Sequence, residues 1–218
     1  MLTITVNERL VHKINTYISI GDNIKVKNLL NTSGVNVNTC DENGDIPLHT
    51  AISSKNQEAL VMLLDLEGID LNIKSEKFLN NSPLITAVIS RNFAAFTALV
   101  YDDRSINAIN LEQTNDYRRS PLLECIILGL KDYFDVLIPE LTSDYLKNID
   151  QMGSSVITLL IKYGHVDYIN TALAHFDMSS DDLMSINAHD YRLTKRNNHS
   201  EPTFSDKIMD QIFAKSRK

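Results

Sequence analysis

Asp41-Glu42-Asn43-Gly44-Asp45-Ile46-Pro47-Leu48-His49-Thr50-Ala51 holds a tight turn followed at once by the start of a helix. Asn-Gly favours the turn, because Gly44 accepts a positive φ without steric penalty. Pro47 suits the first turn of a helix, where its missing N–H loses no bond. Leu48, Ala51 and Ile52 then make the i, i+3, i+4 apolar stripe of a short helix. A second helix follows, with Ala59, Leu60, Leu63 and Leu64 on its inner side and Gly68 expected to stop it. The unit reads turn, helix, helix, loop.

The unit returns along the chain. Ser82-Pro83-Leu84-Ile85, with Ala87 behind it, is a second copy, and Ser120-Pro121-Leu122-Leu123 is a third. Asp150-Gln151-Met152-Gly153-Ser154-Ser155-Val156-Ile157 is a fourth that has lost its proline. The intervals are 36 residues from Pro47 to Pro83, 38 from Pro83 to Pro121 and 35 from Pro121 to Val156. Leu29-Leu30 and Leu63-Leu64 lie 34 residues apart, and each pair leads into the same Gly-x-Asx-x-Asn ending. Phe93, Phe96, Leu99 and Val100, then Tyr133, Phe134, Leu137 and Ile138, fill the inner slots of the later second helices. Ile14 to Asn38 reads as an N-terminal repeat without its turn, with Gly21 between helices and Val26, Leu29 and Leu30 inward. A fixed period of this length marks stacked units that bury their apolar faces only against each other.

Ile46-Pro47-Leu48-His49 and the copies at Pro83 and Pro121 resemble the ankyrin repeat, as does Gly164-His165-Val166-Asp167-Tyr168-Ile169 with its second-helix phrase. The resemblance covers roughly residues 10–190. It implies an all-α solenoid of stacked helix-turn-helix units with projecting β-turn fingers and helical caps at both ends. The signature positions are Pro47, Leu48, His49, Pro83, Leu84, Pro121, Leu122 and Gly153. The expected partition is a cap over 1–40, about four repeats over 41–178, and a divergent end over 179–218 with a closing helix from Ser205 to Lys215. The chain departs from the family pattern in its longer interval, in Ile or Ser for the signature Thr, and in Lys55 and Arg91 for the glycine between helices.

The bulk numbers agree with such a module. The 218 residues are 43% hydrophobic and 22% charged, with a net charge of -7, which argues against broad nucleic-acid or anionic-membrane binding. No stretch is long and apolar enough for a bilayer span, and the first residues lack the pattern of a secretory signal, so the expected location is cytoplasmic. Two cysteines without close spacing suggest a reducing compartment. Asn (21 residues) and Ile (23 residues) are abundant, a composition similar to that of small ankyrin effectors of intracellular pathogens. That resemblance implies delivery into a host cell.

Residues with chemical potential receive structural readings. The resemblance gives His49 and His165 the role of holding fingers through backbone hydrogen bonds. Cys125 falls in a crowded first-helix slot, and Cys40 stands beside Asp41 and Glu42, whose charges disfavour a thiolate. His189, Asp190 and His199 offer ligand atoms, but on a stretch with the composition of an exposed loop. No phosphate loop, nucleophile elbow or zinc-helix motif is present, so no catalytic residue, metal or cofactor is expected. An enzyme with a site in 179–218 is the alternative of another class. From Arg192 to Lys218 seven basic residues stand against three acidic ones, the composition of a solvated cap or of an address.

The expected function is capture of one protein partner by a chain that is monomeric when unbound, either a host protein or one from the same organism that it inhibits or adapts. The resemblance places that partner on finger turns and on the outward side of first helices. Phe78, Leu79, Asn81, Asp116, Tyr117, Arg119, Met152 and Tyr163 are the candidate contacts, beside Glu42, Asn43, Asp45, Gln151 and Ser154 in the fingers. Ser53, Ser54, Ile89, Ser90, Ile127, Leu128 and Lys162 are their first-helix neighbours. Exposed aromatics beside an arginine have the composition of an interface hot spot. Longer fingers could equally fold back and bury Phe78 and Tyr117 against each other.

Overall fold

The structure is a computed structural model that describes residues 5–32, 34–102, 109–142, 145, 150–152, 155–163 and 166–176. Its regular elements are helices; among the described residues there is no β-strand, and an isolated bridge pairs Ser75 with Asn81. Contacts divide the chain into two compact units, residues 1–116 and 117–218.

Among the described residues of the first unit, six helices form three pairs: α1 (Val6–Ile20) with α2 (Asn23–Leu30), α3 (Pro47–Ser53) with α4 (Gln57–Leu64), and α5 (Pro83–Ile89) with α6 (Phe93–Val100). α3 packs on both α1 and α5, while α4 packs on α2 and α6. Each pair is thus covered by its neighbours, the arrangement the period implied. Leu48, Ala51, Ile52, Ala59, Leu60, Leu63, Leu84, Ala87, Phe96 and Leu99 are all fully buried. Truncating one of these leucines to alanine costs about 2–5 kcal/mol, from lost transfer energy and the cavity left behind.

Helix starts follow from local chemistry. Pro47 and Pro83 occupy the first turns of α3 and α5. Ser82 Oγ accepts from the Ile85 amide at 3.3 Å. α1 starts earlier than the sequence reading placed it, because Thr5 and Glu8 form a reciprocal capping box at its N-terminus. Lys55 (φ 57°) and Arg91 (φ 52°) take the left-handed conformation that the family glycine would take between helices.

Three expectations need correction. α4 ends at Leu64 with Asp65 as its cap, so Gly68 (φ 80°) shapes a later turn and does not stop the helix. Phe93 opens α6 at 41% exposure instead of filling an inner slot, because the buried period of that helix runs through Ala95, Phe96 and Leu99. Leu29 and Leu30 are only half-buried, since α2 turns Val26 inward as its fully buried residue and packs on α1 and α4.

A ladder of asparagines joins α1 to the loop after α2, and the loops after the second helices to one another. Asn7 Oδ1 accepts from the Asn36 amide at 2.9 Å, Asn38 Oδ1 from the Asp70 amide at 2.9 Å, and Asn72 Oδ1 from the Asn110 amide at 2.7 Å. Within each loop the first Asx side chain accepts from the amide two residues on: Asn36 from Asn38, Asp70 from Asn72, Asn110 from Glu112. Short Asx side chains serve here because they bond a backbone two residues away without leaving the turn.

The second unit holds α7 (Pro121–Leu128), α8 (Lys131–Leu137), α9 (Val156–Lys162) and α10 (Val166–Phe176) among its described residues. α7 packs on α8 and α9, and α10 on α8 and α9. Ser120 Oγ caps the Leu123 amide at 3.4 Å, as Ser82 does for α5. Ser155 Oγ does the same for Thr158 at 3.2 Å, which keeps the degenerate fourth copy in register without its proline. Phe134 and Tyr168 meet at 4.6 Å between ring centroids. The closing helix expected over Ser205–Lys215, with the rest of 179–218, lies outside the described residues.

Candidate functional site

The first finger, residues 41–46, is built around a buried carboxylate. Asp41 Oδ1 accepts from the Asn43 amide at 2.8 Å and the Asp45 amide at 3.0 Å. Its Oδ2 is reached by Asn15 Nδ2 at 3.0 Å and His12 Nδ1 at 3.2 Å, both from α1. Burial opposes ionisation of Asp41, but the bonds from Asn15, from the Asp45 and Asn43 amides and from His12 together outweigh it, so its carboxyl sits below its ordinary range. The Gly44 N–H closes the turn onto Asp41 O at 3.0 Å, with φ 79° as its turn position requires. His12 lies 3.8 Å from Glu42 as well.

The second finger is longer and carries a short 3-10 turn, Glu76–Phe78. Ser75 organises it: its carbonyl accepts from the Phe78 amide at 3.0 Å and the Asn80 amide at 2.9 Å, and its own amide donates to Asn81 O at 3.0 Å. Leu79 (φ 57°) and Asn80 (φ 55°) are both left-handed. A left-handed leucine costs about 1–2 kcal/mol, so surrounding contacts must impose the shape. That shape leaves Phe78 40% and Leu79 46% exposed.

Neighbouring loops clamp this finger from both sides. Lys77 Nζ lies 2.7 Å from the Asp45 carboxylate in the first finger. On the other side the Asp116 amide donates to Leu79 O at 2.9 Å, Asn80 Nδ2 to Asp116 Oδ1 at 2.8 Å, and Lys74 Nζ to Thr114 O at 2.6 Å. Asn81 is the exception among the expected contacts. It is buried, with Oδ1 accepting from Asn115 Nδ2 at 3.1 Å, so it frames the finger and presents nothing to a partner.

Outward positions of the first helices behave unevenly. Ser53 and Ser54 are exposed, but their hydroxyls donate back to Thr50 O. Ser90 is half-buried and donates to Thr86 O at 2.6 Å. Ile89 is 45% exposed and has no polar alternative.

In the second unit Tyr117 and Met152 are exposed, as is Tyr163 at the end of α9. Arg119 is half-buried, 5.2 Å from the Tyr117 ring and 3.8 Å from Glu124 Oε1. The Gln151 amide donates to Tyr117 O at 2.9 Å, and Asp150 Oδ1 accepts from the Met152 amide at 2.8 Å. Phe78 and Tyr117 are each exposed. Ile127 and Leu128 are half-buried, while Gly153, Ser154 and His165 lie outside the described residues.

His49 is a structural group. Its Nε2 lies 2.8 Å from Ile73 O and its Nδ1 2.8 Å from Thr86 Oγ1, so it ties α3 to the following loop and to α5. Burial lowers its pKa against the raising effect of the Ile73 carbonyl. Asn15, one repeat earlier, does the corresponding work, donating to Asp41 and to Asp45 O at 2.8 Å. Cys125 is buried, and burial with the nearby Glu124 pushes its thiol well up. Cys40 is exposed. Among the described residues no group of His, Cys, Asp and Glu is placed to hold a metal ion, and no helix is long and apolar enough to cross a membrane.

Sequence reading missed the clamps. Asp45–Lys77 and Asn80–Asp116 each join residues more than thirty positions apart, and only the repeat register, applied to polar as well as apolar positions, would have paired them.

Residues 16–110 match the family model described as ankyrin repeats (3 copies). No curated protein matches the sequence. The matched span covers most of the first unit; in the second, likeness rests on Ser120-Pro121 and Ser155-Val156 repeating the Ser82-Pro83 helix start.

Proposed function

Residues 16–110 being ankyrin repeats, a class of module that generally mediates protein–protein interaction, we propose that this chain binds a protein partner without catalysing a reaction. Unbound, it is a monomer. The contact surface is the finger row, with the exposed ends of first helices beside it. Phe78 and Leu79 carry this reading: two large apolar side chains stand exposed on a loop whose backbone is fixed from both sides. An apolar anchor that needs no ordering on binding retains more of its contact energy as affinity. The second unit, taken by itself, exposes Tyr117, Met152 and Tyr163.

The effector reading rests on composition, and the ladder gives many of the asparagines a structural use. The partner is therefore proposed by surface chemistry, with a host protein and a protein of the same organism as its two sources. The test is affinity capture from lysates of both kinds with the wild-type chain and with Phe78→Ala/Leu79→Ala. A partner retained by the first and lost by the second supports the reading. Identical retrieval by both would end it, since circular dichroism is expected to show both folded.

A further inference from the structure

Taking the finger row as the contact surface, we propose that it selects a cationic partner segment: one that sets an aliphatic or aromatic side chain on Phe78 and Leu79 and lysine or arginine side chains against Glu42, Glu76 and Asp116. The charge distribution along the first two fingers and Asp116, all in the first unit, carries this.

Asp41 is spent inside the first finger, where its carboxylate is saturated by Asn15, His12 and two amides. Asp45 is neutralised by Lys77, both of its oxygens lying 2.7 Å from Nζ. Lys77 is thereby held at home, although its ammonium lies 5.7 Å from the Phe78 ring. Three carboxylates of the row remain. Among the described residues Glu42 has only His12 as an ion partner, at 3.8 Å. Glu76 is exposed, in the same short turn as Phe78, and pairs with no cation among the described residues. Asp116 is exposed and accepts from the neutral Asn80 amide beside Leu79. Lys74 is a further cation of the second finger, and its ammonium is turned onto Thr114 O.

An apolar pair flanked by carboxylates favours a ligand of opposite sign, by steering encounter and by penalising acidic competitors. Two or three exposed ion pairs give about a tenfold preference, reduced by salt.

The test uses the full chain and three synthetic peptides that share the same leucine and phenylalanine positions, with lysine, glutamine or glutamate elsewhere. Fluorescence anisotropy is expected to show the lysine peptide binding about tenfold tighter than the glutamine peptide, with the gap closing as salt rises. Glu42→Gln/Glu76→Gln should remove most of the lysine peptide's advantage over the glutamine peptide, and Phe78→Ala/Leu79→Ala should weaken both. Equal binding of lysine and glutamine peptides, both lost on Phe78→Ala/Leu79→Ala, overturns the cationic preference and leaves the finger surface standing. Absence of binding by every peptide, or binding unaffected by the Phe78 variant, overturns the preference and removes support from the finger surface as well.

Discussion

Asn92 holds two repeats together with one side chain: its Nδ2 donates to Ile52 O at 2.9 Å while its Oδ1 caps the Ala95 amide at 3.1 Å. Asn56 does the same one repeat earlier, reaching Ile18 O at 3.0 Å and capping Ala59 at 3.1 Å. Helix capping and repeat stacking are therefore one interaction in this unit. Asn92→Ala should destabilise by about 2–3 kcal/mol, the sum of a lost cap and a carbonyl left buried without its donor. Asn92→Ser keeps an oxygen for the cap but falls short of Ile52, and should lose about half as much. Urea unfolding measures both; equal stability of Asn92→Ala and wild type would show the bond to Ile52 contributes nothing.

His49 makes the corresponding tie on the other side of α3, and its protonation state matters. With its folded pKa lowered by burial, the unfolded chain binds a proton that the folded chain refuses. Stability is thus undiminished above the ordinary histidine range and falls as pH drops through and below it. His49→Leu should abolish that component of the pH dependence. It should also cost about 1–3 kcal/mol at neutral pH by leaving Ile73 O without its donor. Thermal melts from pH 8 to pH 5 on both proteins separate the two effects.

Asp41 acts in the acid limb. Its carboxyl is held below its usual value, burial being outweighed by the bonds from Asn15, Asp45, Asn43 and His12. Its contribution is present above the ordinary aspartate range and is lost as pH falls through the lowered folded value. Asp41→Asn should therefore destabilise at neutral pH and show a smaller loss of stability on going below pH 4. A parallel acid limb in the variant would exclude Asp41 from that titration.

The two thiols should separate cleanly. Cys125 is buried in α7 with its pKa raised well above the ordinary value, and Cys40 is exposed. A thiol-reactive probe at pH 8 should label Cys40 alone in the native chain and both residues in denaturant. Intact mass reads the stoichiometry, and rapid native labelling of Cys125 would mean that α7 is not packed as described.

Much of the fold was legible because the apolar period and the Pro-Leu helix starts are local signals. Pro47, Pro83 and Pro121 each open a first helix, and Val156 opens one without a proline. The candidate surface was legible only in part. Phe78 and Leu79 stood out as apolar residues in a finger, but their exposure depends on Ser75 bonds and left-handed backbone that composition does not encode. Asn81, two positions on, was indistinguishable in sequence and is buried, because its partner Asn115 lies in the next loop. Phe93 misled for a related reason: an aromatic at the first position of a helix can satisfy the helical period and still face outward, here stacking on Phe96 at 6.1 Å.

The residues between paired helices offer the sharpest test of register. Lys55 and Arg91 sit at φ 57° and 52°, where a Cβ is strained, while Gly129 fills the equivalent place after α7 at φ 66°. A left-handed non-glycine residue costs about 1–2 kcal/mol, against roughly 0.5–1 kcal/mol that glycine loses in unfolded-chain entropy. Lys55→Gly and Arg91→Gly should each raise stability by about 0.5–1 kcal/mol, and jointly by the sum, because the sites share no partner. Both side chains are exposed, so little packing is lost. Urea midpoints read the effect. Destabilisation by either substitution would mean that the chain turns there without a left-handed residue, and that the helix pairs meet at an angle other than the one these φ values impose.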